Sequence, residues 1–74
     1  MTDAWEAWRK QAARRAARNG GVDTREDEIV RALRAGAVAD AARLRASAEL
    51  LDHDYLAYWV DELALRERWR ALGD

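Results

Sequence analysis

Proline does not occur in this 74-residue chain, and its four glycines stand at Gly20, Gly21, Gly36 and Gly73. With so few residues able to break a helix or take up a left-handed backbone, the stretches between the glycines are committed to helical runs. Alanine, leucine, arginine and glutamate dominate, and β-branched residues are few. These are the helix-favouring types, so the chain reads as all-α. Its length gives room for one domain, residues 1–74, with a thin core. Half of the residues are hydrophobic, but seventeen are alanines, which leaves twenty large apolar or aromatic side chains. A chain below about 80 residues rarely draws more than about 3–5 kcal/mol from such a core without a metal, a disulfide or a partner. Association with another protein, or with a second copy, is therefore expected.

Cysteine is absent and His53 is the lone histidine, so neither a disulfide nor an ordinary structural zinc site is expected, and no cofactor is implied. No apolar run approaches the ~20 residues that span a bilayer, and Met1 to Lys10 opens with acids and tryptophans rather than a secretion signal. The expected location is the cytoplasm. Twelve of the thirteen basic residues are arginine, a bias associated with GC-rich bacterial genomes. A net charge of −1 proposes neither nucleic acid nor membrane as the target of the chain as a whole.

The punctuation predicts a small antiparallel bundle of three to four helices, at about 3–18, 24–35, 38–51 and 55–72. The first opens on Asp3 and Glu6 in a D-x-x-E arrangement suited to capping and stops at Asn19-Gly20-Gly21. Asp23 or Thr24 caps the second, whose early Glu26, Asp27 and Glu28 and late Arg31 and Arg34 follow the helix dipole. Its apolar stripe is Ile29, Val30 and Leu33, and Gly36 closes it. From Ala37 to Leu72 two readings compete. Leu44, Ala48, Leu51 and Tyr55 line one face, whereas Leu56, Trp59, Val60 and Leu63 lie about 100° round. That shift favours a break with Asp54 as cap over one continuous helix, which would have to dimerise to bury both stripes.

In the first helix Trp5, Trp8, Ala12 and Ala16 share a face. Lys10, Arg14 and Arg18 stand opposite, flanked by Arg9 and Arg15, so residues 9–18 carry five positive charges and no negative one. The plainer reading is a core stripe with a solvated back. The functional reading is a docking face for phosphate or for an acidic protein surface. Glu49, Asp52, Asp54, Asp61 and Glu62 form a stretch of opposite sign, free to pair inside the molecule, across an oligomer or with water alone. Tyr55, Tyr58 and Trp59 cluster at spacings of three and four, fit for a core or for an interface anchor.

Catalytic chemistry finds no foothold. Ser47 is the only serine and lies in Ala46-Ser47-Ala48 without an oxyanion loop, and Gly20-Gly21 lacks the lysine and strand of a phosphate loop. Glu49 and His53 are four apart, whereas carboxylate-bridged metal sites in bundles use Glu-x-x-His pairs three apart. The segment Ala32-Leu33-Arg34-Ala35-Gly36 and Val38-Ala39-Asp40-Ala41-Ala42-Arg43-Leu44 resembles the first two helices of helix-turn-helix domains in phage small terminase subunits and transposase-type proteins. That resemblance implies a polar, basic reading helix next. Here Glu49, Asp52 and Asp54 occupy it, where they would repel phosphates, and no family is assigned. The expectation is a non-enzymatic interaction module: an oligomerising subunit, adaptor, or regulator or inhibitor of a larger bacterial protein. Its contact residues are expected among Trp5, Trp8, Arg14, Arg15, Arg18, Tyr55, Tyr58 and Trp59. The alternative is a nucleic-acid-binding regulator using the basic residues 9–18.

Overall fold

A computed structural model describes residues 3–73 and contains helices α1 (Ala4–Arg18), α2 (Arg25–Arg34), α3 (Val38–Ser47), α4 (His53–Glu62) and α5 (Arg66–Arg70). The all-α class is as read from the sequence, and no strand occurs among the described residues. Asp3 caps α1 by accepting the Trp5 N–H, and Thr24 caps α2 by accepting the Asp27 N–H. Glu6 does not close a box with Asp3; it lies 4.0 Å from Lys10 one turn on. At the far end of α1 the Gly21 N–H reaches the Ala16 carbonyl at 2.8 Å, with Gly20 at φ 71°. The same wrap closes α2, where Gly36 sits at φ 77° and the Ala37 N–H donates to Ala32. Both are Schellman stops, in which the left-handed residue suits glycine.

The second half of the chain departs from expectation in three places. The favoured break between 38 and 72 is present, but not where it was expected. The third helix ends at Ser47 rather than at 51, and the cap of the next is Asp52, not Asp54: its carboxylate accepts the Tyr55 N–H at 3.0 Å. The cause is tertiary, because the buried Glu26 carboxylate of α2 accepts the Asp52 N–H at 2.9 Å and draws the chain out of the helix. The expected final helix is also split. Leu65 N–H donates to the Val60 carbonyl around Ala64 at φ 57°, a third Schellman stop built without a glycine.

After the Gly36 turn α3 folds back on α2, and α4 packs across α2. The core is built from Trp8 and Ala12 of α1, Ile29, Val30 and Leu33 of α2, Ala41 of α3, Leu56, Trp59 and Val60 of α4, and Leu63 and Leu65 beyond it. Trp5, near the start of α1, shares a groove with Leu63, Ala64 and Leu65, while Arg15, near its end, stacks on Tyr55 at the start of α4. The start of α1 therefore lies toward the end of α4 and its end toward the start of α4, so the two run in opposite directions along the groove between them. Arginines tie down the C-terminal segment: Arg68 donates to the Leu33 and Arg34 carbonyls at the end of α2, and Arg45 donates to the Leu72 and Gly73 carbonyls.

Candidate functional site

Asp27 is fully buried at the junction of α1, α2 and α4. A carboxylate in that position must be paired and hydrogen-bonded to be tolerated. Trp8 Nε1–H donates to its Oδ1 at 3.1 Å, and the Tyr55 hydroxyl donates to the same oxygen. Thr24 Oγ1–H donates to Oδ2 at 3.1 Å, and Arg15 Nε lies 3.4 Å from it, an ion pair outside hydrogen-bond geometry. Arg15 also donates to Glu26 at 3.0 Å and lays its guanidinium over the Tyr55 ring at 3.9 Å. Burial would raise the Glu26 carboxyl. The N–H groups of Asp52 and of Glu26 itself, the Arg15 charge and the Thr24 hydroxyl outweigh it and hold the group below its ordinary value. Burial, then the hydrogen bond to Asp27, push the Tyr55 phenol well above its ordinary range.

This polar junction underlies an open groove of about 670 Å³ between α1 and α4, lined by Ala7, Lys10, Gln11, Arg14, Arg15, Arg18, Tyr55, Tyr58 and Trp59. Among the described residues no carboxylate lines it. Lys10 reaches Glu6 only at 4.0 Å with both side chains exposed, and Arg14 and Arg18 form no ion pair among the described residues. Opposite them Tyr58 is 56% exposed, edge-on to Trp59 with ring centres 4.9 Å apart. The neighbouring Glu62 carboxylate raises the Tyr58 phenol's pKa.

The eight expected contact residues thus divide. Arg14, Arg18 and Tyr58 come together on the groove's open walls. Trp8 is 0% and Trp59 7% exposed, so both belong to the core, and Trp8 offers a partner no surface. Trp5 is half-buried, edge-on to Trp8 and covered by the Arg34 guanidinium at 4.6 Å. Arg15 and Tyr55 are taken up by the Asp27 junction and form the groove's floor. Core packing and guanidinium groups cover the tryptophans, and even Trp69 lies beneath Arg45 at 5.2 Å. The acidic stretch does not pair with the basic face of α1 inside the molecule: Asp61 meets Arg66, and the α1–α2 ion pairs of Arg15 go to Glu26 and Asp27.

Sequence reasoning passed over Glu26 and Asp27 as ordinary dipole acids. The signal was available, because both continue the stripe of Ile29, Val30 and Leu33 one turn back. His53 is exposed at the start of α4, and no cluster of three or more metal-binding side chains assembles among the described residues. No described helix is long and apolar enough to cross a membrane. No protein-family model, curated protein or solved structure matches the chain.

Proposed function

We propose that this chain is a protein-interaction module that docks an acidic protein surface on the face formed by α1 and α4, in the manner of an oligomerising subunit, adaptor or regulator. One observation carries the reading: three cations without strong partners, Lys10, Arg14 and Arg18, face an exposed Tyr58 across a groove that no described carboxylate lines. Cations of this kind set orientation and encounter rate, and a tyrosine set between them supplies a rigid apolar anchor with a polar tip. The indoles beneath keep the floor fixed, so little ordering entropy is lost on binding.

Single-stranded nucleic acid also seeks cations beside rings, but it stacks successive bases on several exposed aromatic faces. Here Tyr58 alone among the groove's rings is well exposed. A labelled peptide of alternating glutamate and leucine and a labelled oligothymidine separate the two classes. The peptide should bind and lose about tenfold or more in affinity on Arg14→Glu with Arg18→Glu. Equal peptide binding by that variant would end the reading. Oligothymidine binding that falls steeply with salt, with no peptide binding, would replace it with the nucleic-acid alternative.

A further inference from the structure

We infer that the acidic surface this face takes is α4 of a second copy of the same chain, in a two-fold dimer whose axis lies between the copies and runs parallel to α1 and α4. This rests on the docking role proposed for the groove and names its occupant. The crest of α4 carries Asp54, Tyr58, Asp61 and Glu62 at spacings of three and four, all exposed on one helical face. Beside it, across the groove, runs the row Lys10, Arg14 and Arg18 on α1. The face is thus two parallel stripes, three positive charges and three negative, which do not pair with each other inside the molecule.

Two such stripes are self-complementary under one operation. A two-fold axis parallel to the helices exchanges left and right while keeping height, so each positive stripe meets the other copy's negative stripe. A two-fold across the helices would set like against like. The heights also agree. The Arg15 guanidinium lies on the Tyr55 ring, and Trp5 shares a groove with Leu63 to Leu65. Counting along the antiparallel pair from those anchors, Asp54 comes level with Ala16, between Arg14 and Arg18, and Asp61 comes level with Arg9, beside Lys10. In the dimer Asp54 faces Arg14 and Arg18 of the other copy, Asp61 and Glu62 face its Lys10, and Tyr58 lies over its α1 between Lys10 and Arg14. The existing contacts of Lys10 with Glu6 and Asp61 with Arg66 are between exposed side chains, which yield readily to a better partner. A standard interface takes about 800 Å² from each partner, about a sixth of the 5055 Å² surface, which a face made of two helices can supply.

The test is the mass in solution from low micromolar to millimolar concentration, with helix content followed in every variant. The 8.4 kDa mass should double, and half-molar salt should weaken association about tenfold or more as charge is screened. The variants Lys10→Glu/Arg14→Glu/Arg18→Glu and Asp54→Arg/Asp61→Arg/Glu62→Arg should each be monomeric, and their equimolar mixture dimeric. Lys10 is the sole lysine, so carbodiimide should join it to Asp61 or Glu62 of an isotope-labelled second copy. Should either variant misfold, the salt response and this crosslink in the unaltered protein still decide. A protein monomeric throughout, a dimer indifferent to salt, or crosslinks between copies that join Lys10 only to other carboxylates overturns the dimer; a Lys10–Glu6 crosslink within one copy is expected in either case. If a monomer still binds the glutamate–leucine peptide, the docking role survives its loss. If it binds no peptide either, both fall.

Discussion

Asp27 shows how one side chain can hold three helices while contributing nothing apolar. Its two oxygens receive Trp8 and Tyr55 on one side and Thr24, with the Arg15 charge, on the other. Removing it leaves an indole N–H and a phenol O–H buried without an acceptor and takes from Arg15 half of its compensation. Asp27→Ala should therefore destabilise by about 3–5 kcal/mol, the range for breaking a buried charged group away from its partners. Asp27→Asn keeps one acceptor for Trp8 and Tyr55 but presents N–H groups to Thr24 and Arg15, so it should fall between Asp27→Ala and the unaltered protein. Urea unfolding followed by tryptophan fluorescence measures both, and an Asp27→Ala loss below about 1 kcal/mol would show the junction to be incidental. The place of Glu26 and Asp27 on the apolar stripe of α2 marked them for burial, but the partners that make burial tolerable come from α1 and α4, elsewhere in the chain.

At the scale of the helices, the stops that the sequence displays openly are the ones made by glycine. Gly20 and Gly36 each occupy the left-handed position of a Schellman turn, and the helices before them end within a residue of where the pattern puts them. The break before α4 was placed two residues late, because Ala48 to Leu51 are good helix formers and the group that unwinds them is Glu26 on another helix. The break after α4 was missed because alanine stands where glycine is usual. Ala64 at φ 57° carries the steric penalty of its Cβ against the backbone, about 1–2 kcal/mol, and glycine returns part of that through its freer unfolded chain. Ala64→Gly should accordingly raise stability by about 0.5–1 kcal/mol without moving the turn, since the Leu65 N–H bond to Val60 is unchanged. An unchanged or lower unfolding midpoint would mean that the Ala64 methyl makes contacts worth as much as its strain. The candidate groove was legible only in halves. The basic face of α1 and the aromatic cluster of α4 are each plain in the sequence, but their meeting depends on the antiparallel placement of two helices separated by α2 and α3.

Across the whole molecule the elements are not held alike. Helices α2 and α4 carry most of the apolar core, whereas α1 places Trp8 and Ala12 fully within it and also leans on the ion pairs of Arg15 with Glu26 and Asp27. Its attachment is therefore the most sensitive to acid. Glu26 has its folded-state pKa held below the ordinary 4.5, so the folded protein binds that proton less readily than the unfolded chain does. The stability it contributes is complete above about pH 4.5 and is lost as pH falls through the lowered folded value. Protonation weakens both its bond from Arg15 and its hold on the Asp52 N–H, so α1 and the start of α4 should loosen before α2. Amide exchange compared at neutral pH and below pH 4 should show protection falling first in Ala12 to Arg18 and at Asp52, while Val30 and Leu33 stay slow. Glu26→Gln should flatten this acid response and leave a lower but pH-independent share. Simultaneous loss of protection in α1 and α2 at every pH would instead make the molecule one cooperative unit, with the polar junction no weaker than the core.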